Sequence, residues 1–145
     1  MSDPGLRIGE AARQTGLTAA SIRYYEQEGL LPAPPRSGSS YRIYGEADLH
    51  RLRFIRLCRA MDMSLGEVRT LLGLDLKDKA DCRAARQTLD EHLAHVRQRL
   101  SELRALERNL RSLRDRCDGS SDQCHIIEAL HRQADLTPAD ALRGA

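Results

Sequence analysis

The chain has 145 residues, with 23 Lys and Arg against 21 Asp and Glu, giving a formal net charge of +2 at pH 7. With four Tyr, one Phe and no Trp, a single small core would be poorly filled, and burial between subunits is the expected remedy. So small a charge excludes a general polycation; the lack of a leader-like segment or long apolar run points to a soluble, cytoplasmic protein with no membrane partner.

Ile8, Ala11 and Ala12 share one face of a short helix that ends at Thr15-Gly16. Thr18 is placed to cap a second helix that runs to Gln27 and closes at Gly29. Two short helices joined by a Gly-containing turn describe a helix-turn-helix. Leu30-Leu31-Pro32 closes the pair, Pro34-Pro35 prevents another helix, and Gly38-Ser39-Ser40 makes a turn. Tyr41-Arg42-Ile43-Tyr44 alternates with period two and reads as a strand, so the segment forms a small β-hairpin wing carrying Arg36, Tyr41 and Arg42.

Glu46 to Ala60 is the next helix, with Leu49, Leu52, Phe54, Ile55 and Leu57 as its apolar face. Ser64-Leu65-Gly66-Glu67 is a capping box that opens another helix through Leu72. From Arg36 to Arg59, six arginines (36, 42, 51, 53, 56 and 59) stand against Glu46 and Asp48. A local basic patch beside a helix-turn-helix is what capture of DNA phosphates requires.

Residues 1–75 therefore read as a winged helix-turn-helix domain with two supporting helices, and 76–80 as a connector. From Asp81 to Cys117 one long helix is expected. Leu89, Val96, Leu103 and Leu110 recur every seven residues beside a second line of Leu93, Leu100, Leu106 and Leu113, with no Pro or Gly between. Continued one heptad each way, the first line reaches Cys82 and Cys117, so each end of the seam carries a thiol. At 1.5 Å per residue these thiols sit roughly 52 Å apart, too far to share a ligand within one chain. Antiparallel pairing of two helices would bring Cys82 of one chain beside Cys117 of the other, and Cys124 follows after a short loop. The expectation is a homodimer that holds soft metal ions with Cys117 and Cys124 of one protomer and Cys82 of the partner subunit. Residues 118–133 form the metal-binding loop and a short terminal helix, and 134–145 a flexible tail. Cys58, on the apolar-faced helix, reads as structural.

Ile22-Arg23-Tyr24-Tyr25-Glu26, Gly29-Leu30-Leu31-Pro32 and Tyr41-Arg42-Ile43-Tyr44 together resemble the MerR family of bacterial transcription regulators. Phe54 to Arg59, followed by Asp62-Met63-Ser64-Leu65, is similar more narrowly to its cadmium- and lead-sensing branch (CadR and PbrR), and the likeness spans residues 6 to 133. It implies a mainly α protein, with an N-terminal winged helix-turn-helix and an antiparallel coiled-coil dimer. It also implies binding to double-stranded promoter DNA whose spacer is too long for RNA polymerase, and distortion of that DNA when metal binds. Thr18, Ser21, Arg23 and Tyr24 would meet the DNA, Arg36, Tyr41 and Arg42 would hold its backbone from the wing, and Arg59 would lie near it.

Three thiolates suit a soft ion. In the family a non-thiol residue at the position of Cys82 accompanies monovalent copper and silver, so this cysteine argues for a divalent ion, Cd(II) or Pb(II). Hg(II) uses the same three thiols. Zn(II) favours four ligands, and His125 or His131 would supply the fourth. Residues 134–145 hold no histidine, unlike the histidine-rich tail frequent in the cadmium branch. A disulfide switch between Cys117 and Cys124 is the alternative within regulators, though it leaves Cys82 without a role. A metal buffer without DNA activity does not account for the wing, and an enzyme lacks both a nucleophile–base pair and a phosphate-binding Gly-rich loop.

Overall fold

The computed structural model describes residues 5–32, 41–117, 119–120 and 123–142. The chain divides into two units, one running to His92 and the other starting at Leu93.

The first unit opens with α1 (Ile8–Thr15) and α2 (Ala19–Gln27). α1 stops because Gly16 takes a left-handed φ of 73° and returns its N–H to the Ala12 carbonyl. A side chain at Gly16 would be strained, and its Cβ would lie 3.0 Å from Cζ of Arg56. Thr18 then caps α2, its hydroxyl accepting the Ser21 N–H at 3.0 Å. α3 (Glu46–Ala60) begins where the Asp48 carboxylate accepts the Gly45 N–H at 3.0 Å. Ser64 and Glu67 form the expected capping box at the start of α4 (Leu65–Leu72).

One apolar core joins these helices: Ala11, Ile22, Tyr25, Leu30, Leu31, Tyr44, Leu49, Leu52, Ile55, Cys58, Met63 and Val68 are all buried. Fully burying an aliphatic side chain such as Ile22 or Leu52 contributes roughly 1.5–3 kcal/mol. Leu57, assigned above to the apolar face of its helix, is 58 % exposed; the core-facing stripe of α3 follows Leu49, Leu52, Ile55 and Cys58. The described arm of the wing pairs with the start of the chain: Leu6 and Tyr44 exchange backbone hydrogen bonds of 2.8 Å in an antiparallel bridge. The other arm of the expected hairpin, with Arg36, lies outside the described residues.

α5 spans Lys79–Arg114, starting two residues before the expected boundary and ending three before Cys117. It starts there because the Asp78 carboxylate accepts the Ala80 N–H at 2.7 Å and the Asp81 carboxylate accepts the Asp75 N–H at 2.7 Å. Ten residues past Cys82, buried His92 places Nε2 2.7 Å from the Met61 carbonyl oxygen and Nδ1 3.1 Å from Glu67.

In the second unit Leu93, Val96, Leu100, Leu103, Leu106 and Leu110 line α5 and are 37 to 56 % exposed. Leu113 and Ala129 are its buried apolar residues among those described. α6 (His125–Leu136) runs three residues beyond the expected end of the terminal helix, and a 3₁₀ turn (Ala139–Leu142) follows where a flexible tail was expected. Among the described residues no helix is long and apolar enough to cross a membrane.

Candidate metal centre and nucleic-acid interface

The four thiols fall into two environments. Cys58 is 2 % exposed in the core, and burial pushes its thiol pKa up. Cys82 is exposed in the first turn of α5, where it lines a cavity of about 250 Å³ with Phe54, Leu71, Leu74, Asp81 and Ala85. Cys117 is half-buried just beyond α5, and Cys124 is exposed at the N-cap of α6. Among the described residues of one chain, no cluster of three metal-ligating side chains contains a cysteine. His125 is exposed, with Nδ1 3.5 Å from the Glu128 carboxylate, and His131 is exposed on the same helix.

The second candidate surface centres on α2. Tyr25 packs into the core while Arg23 and Tyr24 face out, the two adjacent tyrosine rings lying 5.8 Å apart. Arg7, Arg23, Tyr41, Arg42 and Tyr44 line a cavity of about 420 Å³ between α2 and the wing. The Arg7 guanidinium lies 4.3 Å from the centre of the Tyr41 ring.

The carboxylates of Glu10 and Glu26 reach this surface, and both are paired. Hydrogen bonds from Arg13 and then Gln14 hold the Glu10 carboxyl down to about 2. Glu26, on α2, has a side chain only 4 % exposed; Arg42 pairs with its Oε2, and the Tyr44 hydroxyl donates to its Oε1. Burial is the main cause that raises the Tyr44 pKa, with Arg42 and Arg23 opposing. Neither Arg7 nor Glu26 stood out in the sequence as a site residue. The one available signal was an acid one turn after Arg23 on a helix meant for DNA.

Several arginines of the basic stretch are engaged within the fold. Arg51 donates to the Leu30 carbonyl at 2.6 Å, and Arg59 donates to the Met63 carbonyl at 2.8 Å while remaining exposed. Arg56 lies over the Gly16 turn.

A family profile described as "MerR HTH family regulatory protein" matches residues 6–74, and a second, "MerR, DNA binding", matches residues 49–113. The chain belongs to the MerR family. It is similar to an HTH-type transcriptional regulator, the ZntR homolog of Haemophilus influenzae, with 40 % identity over 77 % of this chain and 82 % of that protein. The crystal structure of the transcription regulator PbrR691 from Ralstonia metallidurans CH34, in complex with lead(II), matches at TM-score 0.71 and 45 % identity, covering 86 % of this chain and 98 % of that one. The regulator MerR of Bacillus megaterium MB1, in complex with mercury(II), matches at TM-score 0.66 and 30 % identity, covering 87 % of this chain and 99 % of that one. As a member of the MerR family this chain is a DNA-binding transcription regulator and not an enzyme.

Proposed function

We propose that this MerR-family chain is a metal-responsive regulator. It binds promoter DNA as a homodimer and activates transcription, by distorting that DNA for RNA polymerase, when Cd(II) or Pb(II) is bound. Cys117 and Cys124 of one protomer and Cys82 of the partner subunit would hold the ion, and once bound it supplies a thiolate link between them. The observation that carries this reading is the division of the thiols: Cys58 is buried, whereas Cys82, Cys117 and Cys124 are all at least partly accessible. Three soft donors fit a soft divalent ion. The likeness to a lead(II)-bound regulator supports that choice. The exposed leucine seam of α5 supports pairing with a second copy.

The chain has a route by which occupancy reaches the DNA-binding helices. Asp75, Asp78 and Asp81 tie the first turn of α5, and with it Cys82, to the connector. His92 ties the same helix to the α3–α4 turn and to Glu67 of α4. α3 in turn packs on α1. A force on Cys82 therefore reaches the helix-turn-helix. Metal shifts the equilibrium only as far as the thiols hold it more tightly in the DNA-distorting state.

The test is a promoter reporter titrated with cadmium, lead, zinc, mercury, copper and silver, alongside Cys82→Ser, Cys117→Ser and Cys124→Ser. Each variant should lose induction and keep DNA binding. Full induction of Cys82→Ser would remove the cross-subunit site, and a response confined to copper or silver would refute the divalent assignment. A response to mercury or zinc alone would keep the site and replace the inducer.

A further inference from the structure

The DNA-binding surface contains a carboxylate where a polyanion is to be met, and the chain has made it part of the frame. We infer that Glu26 is a positioning residue for DNA binding: it locks Arg42 and Tyr44 of the wing onto α2, so that Arg42 acts as a strut and leaves the phosphates to Arg23 and Arg7.

The inference rests on the DNA-binding reading and on three observations. The Glu26 side chain is only 4 % exposed; its Oε2 is ion-paired with Arg42, and its Oε1 accepts a hydrogen bond from the Tyr44 hydroxyl. A buried carboxylate must be paired, and removing its partner leaves an uncompensated charge. The Arg42 guanidinium is thus required by the fold at the point where the wing meets the helix, and the pair carries no net charge toward DNA.

Tyr44 has a second constraint, because its backbone exchanges hydrogen bonds with Leu6. The next residue, Arg7, extends over the Tyr41 ring on the outward side of the same bridge. One carboxylate therefore sets the spacing between the recognition helix and the wing. Arg23 and Arg7, both exposed, remain as the cations lining the cavity between them.

A phosphate contact and a strut differ in how they respond to salt. Each phosphate neutralised adds about 0.9 to the magnitude of the slope of log affinity against log salt, whereas a strut changes affinity at constant slope. The experiment uses the full-length protein and a duplex that the unaltered chain selects from a random library, with affinity measured over a range of salt. Glu26→Gln and Arg42→Gln should each weaken binding on the order of tenfold with the slope unchanged, and the double variant should be no weaker than the worse single one. Arg42→Lys, which keeps the charge but not the forked geometry, should also weaken binding at unchanged slope. Arg23→Gln and Arg7→Gln should each reduce the slope by about 0.9. Tyr44→Phe, the mildest change, should weaken binding while far-UV circular dichroism stays that of the parent.

The strut is refuted if Arg42→Gln lowers the slope by about 0.9 while Arg42→Lys binds normally, or if Glu26→Gln binds as well as the parent or better. Failure of the unaltered chain to enrich any duplex would instead refute the DNA-binding reading, and the strut with it.

Discussion

If Cys82 meets Cys117 of the partner subunit, the whole register of the dimer follows. Any residue a given number of places after Cys82 faces the residue the same number of places before Cys117 in the other protomer. Seven places in, Leu89 meets Leu110; eleven places in, Leu93 meets Leu106; fourteen places in, Val96 meets Leu103. All six are 37 to 56 % exposed in the single chain, so each has surface left to bury. The perturbation is the pair Val96→Cys with Leu103→Cys, in a background with Cys82, Cys117 and Cys124 changed to Ser. A disulfide needs Cα atoms within about 7 Å, which facing positions satisfy. The single variant Val96→Cys places its two copies seven residues apart along the axis, about 10 Å, and Leu89→Cys places them about 31 Å apart. Non-reducing electrophoresis after mild oxidation should give a covalent dimer from the double variant and none from either single variant. A crosslinked dimer from Leu89→Cys alone would mean parallel helices, and the shared metal site would be lost with the register. Leu103→Ala gives an energetic check: losing about 1 kcal/mol of burial from each protomer should weaken dimerisation roughly thirtyfold.

Iodoacetamide should modify three thiols in the native protein and the fourth only after unfolding, because Cys58 is buried and that burial also raises its pKa, disfavouring the reactive thiolate; peptide mapping that found Cys58 labelled early would contradict the core assignment. Metal uptake should release protons and weaken as pH falls, since the ligands bind as thiolates; calorimetry in buffers of different ionisation enthalpy measures this. Asp62, between α3 and α4, sits at a left-handed φ of 62°, so Asp62→Gly should relieve strain and raise stability by about 1 kcal/mol in thermal unfolding. Ser64→Ala should cost about 1 kcal/mol through loss of the α4 cap, and an unchanged melting temperature would show that Glu67 alone sustains it.

The local features were legible because local chemistry decides them. Thr18 and Ser64 cap their helices, Gly16 ends α1, and the leucine lines of α5 run through an uninterrupted helix, each set by backbone groups or periodicity within a few residues. The spacing of Cys82 and Cys117 was likewise a matter of counting heptads along the chain, although α5 itself ends at Arg114, before Cys117 and Cys124. What counting did not reach was the destination of the charges. Six arginines from 36 to 59 read as one patch for DNA, yet Arg51 and Arg59 donate to carbonyls, Arg56 lies over Gly16, and Arg42 is held by Glu26, sixteen residues earlier in the chain. A sequence shows which side chains carry charge but not which acceptors folding sets beside them. Tertiary packing made that choice, because a carboxylate or carbonyl shielded from water must find its donor within the protein.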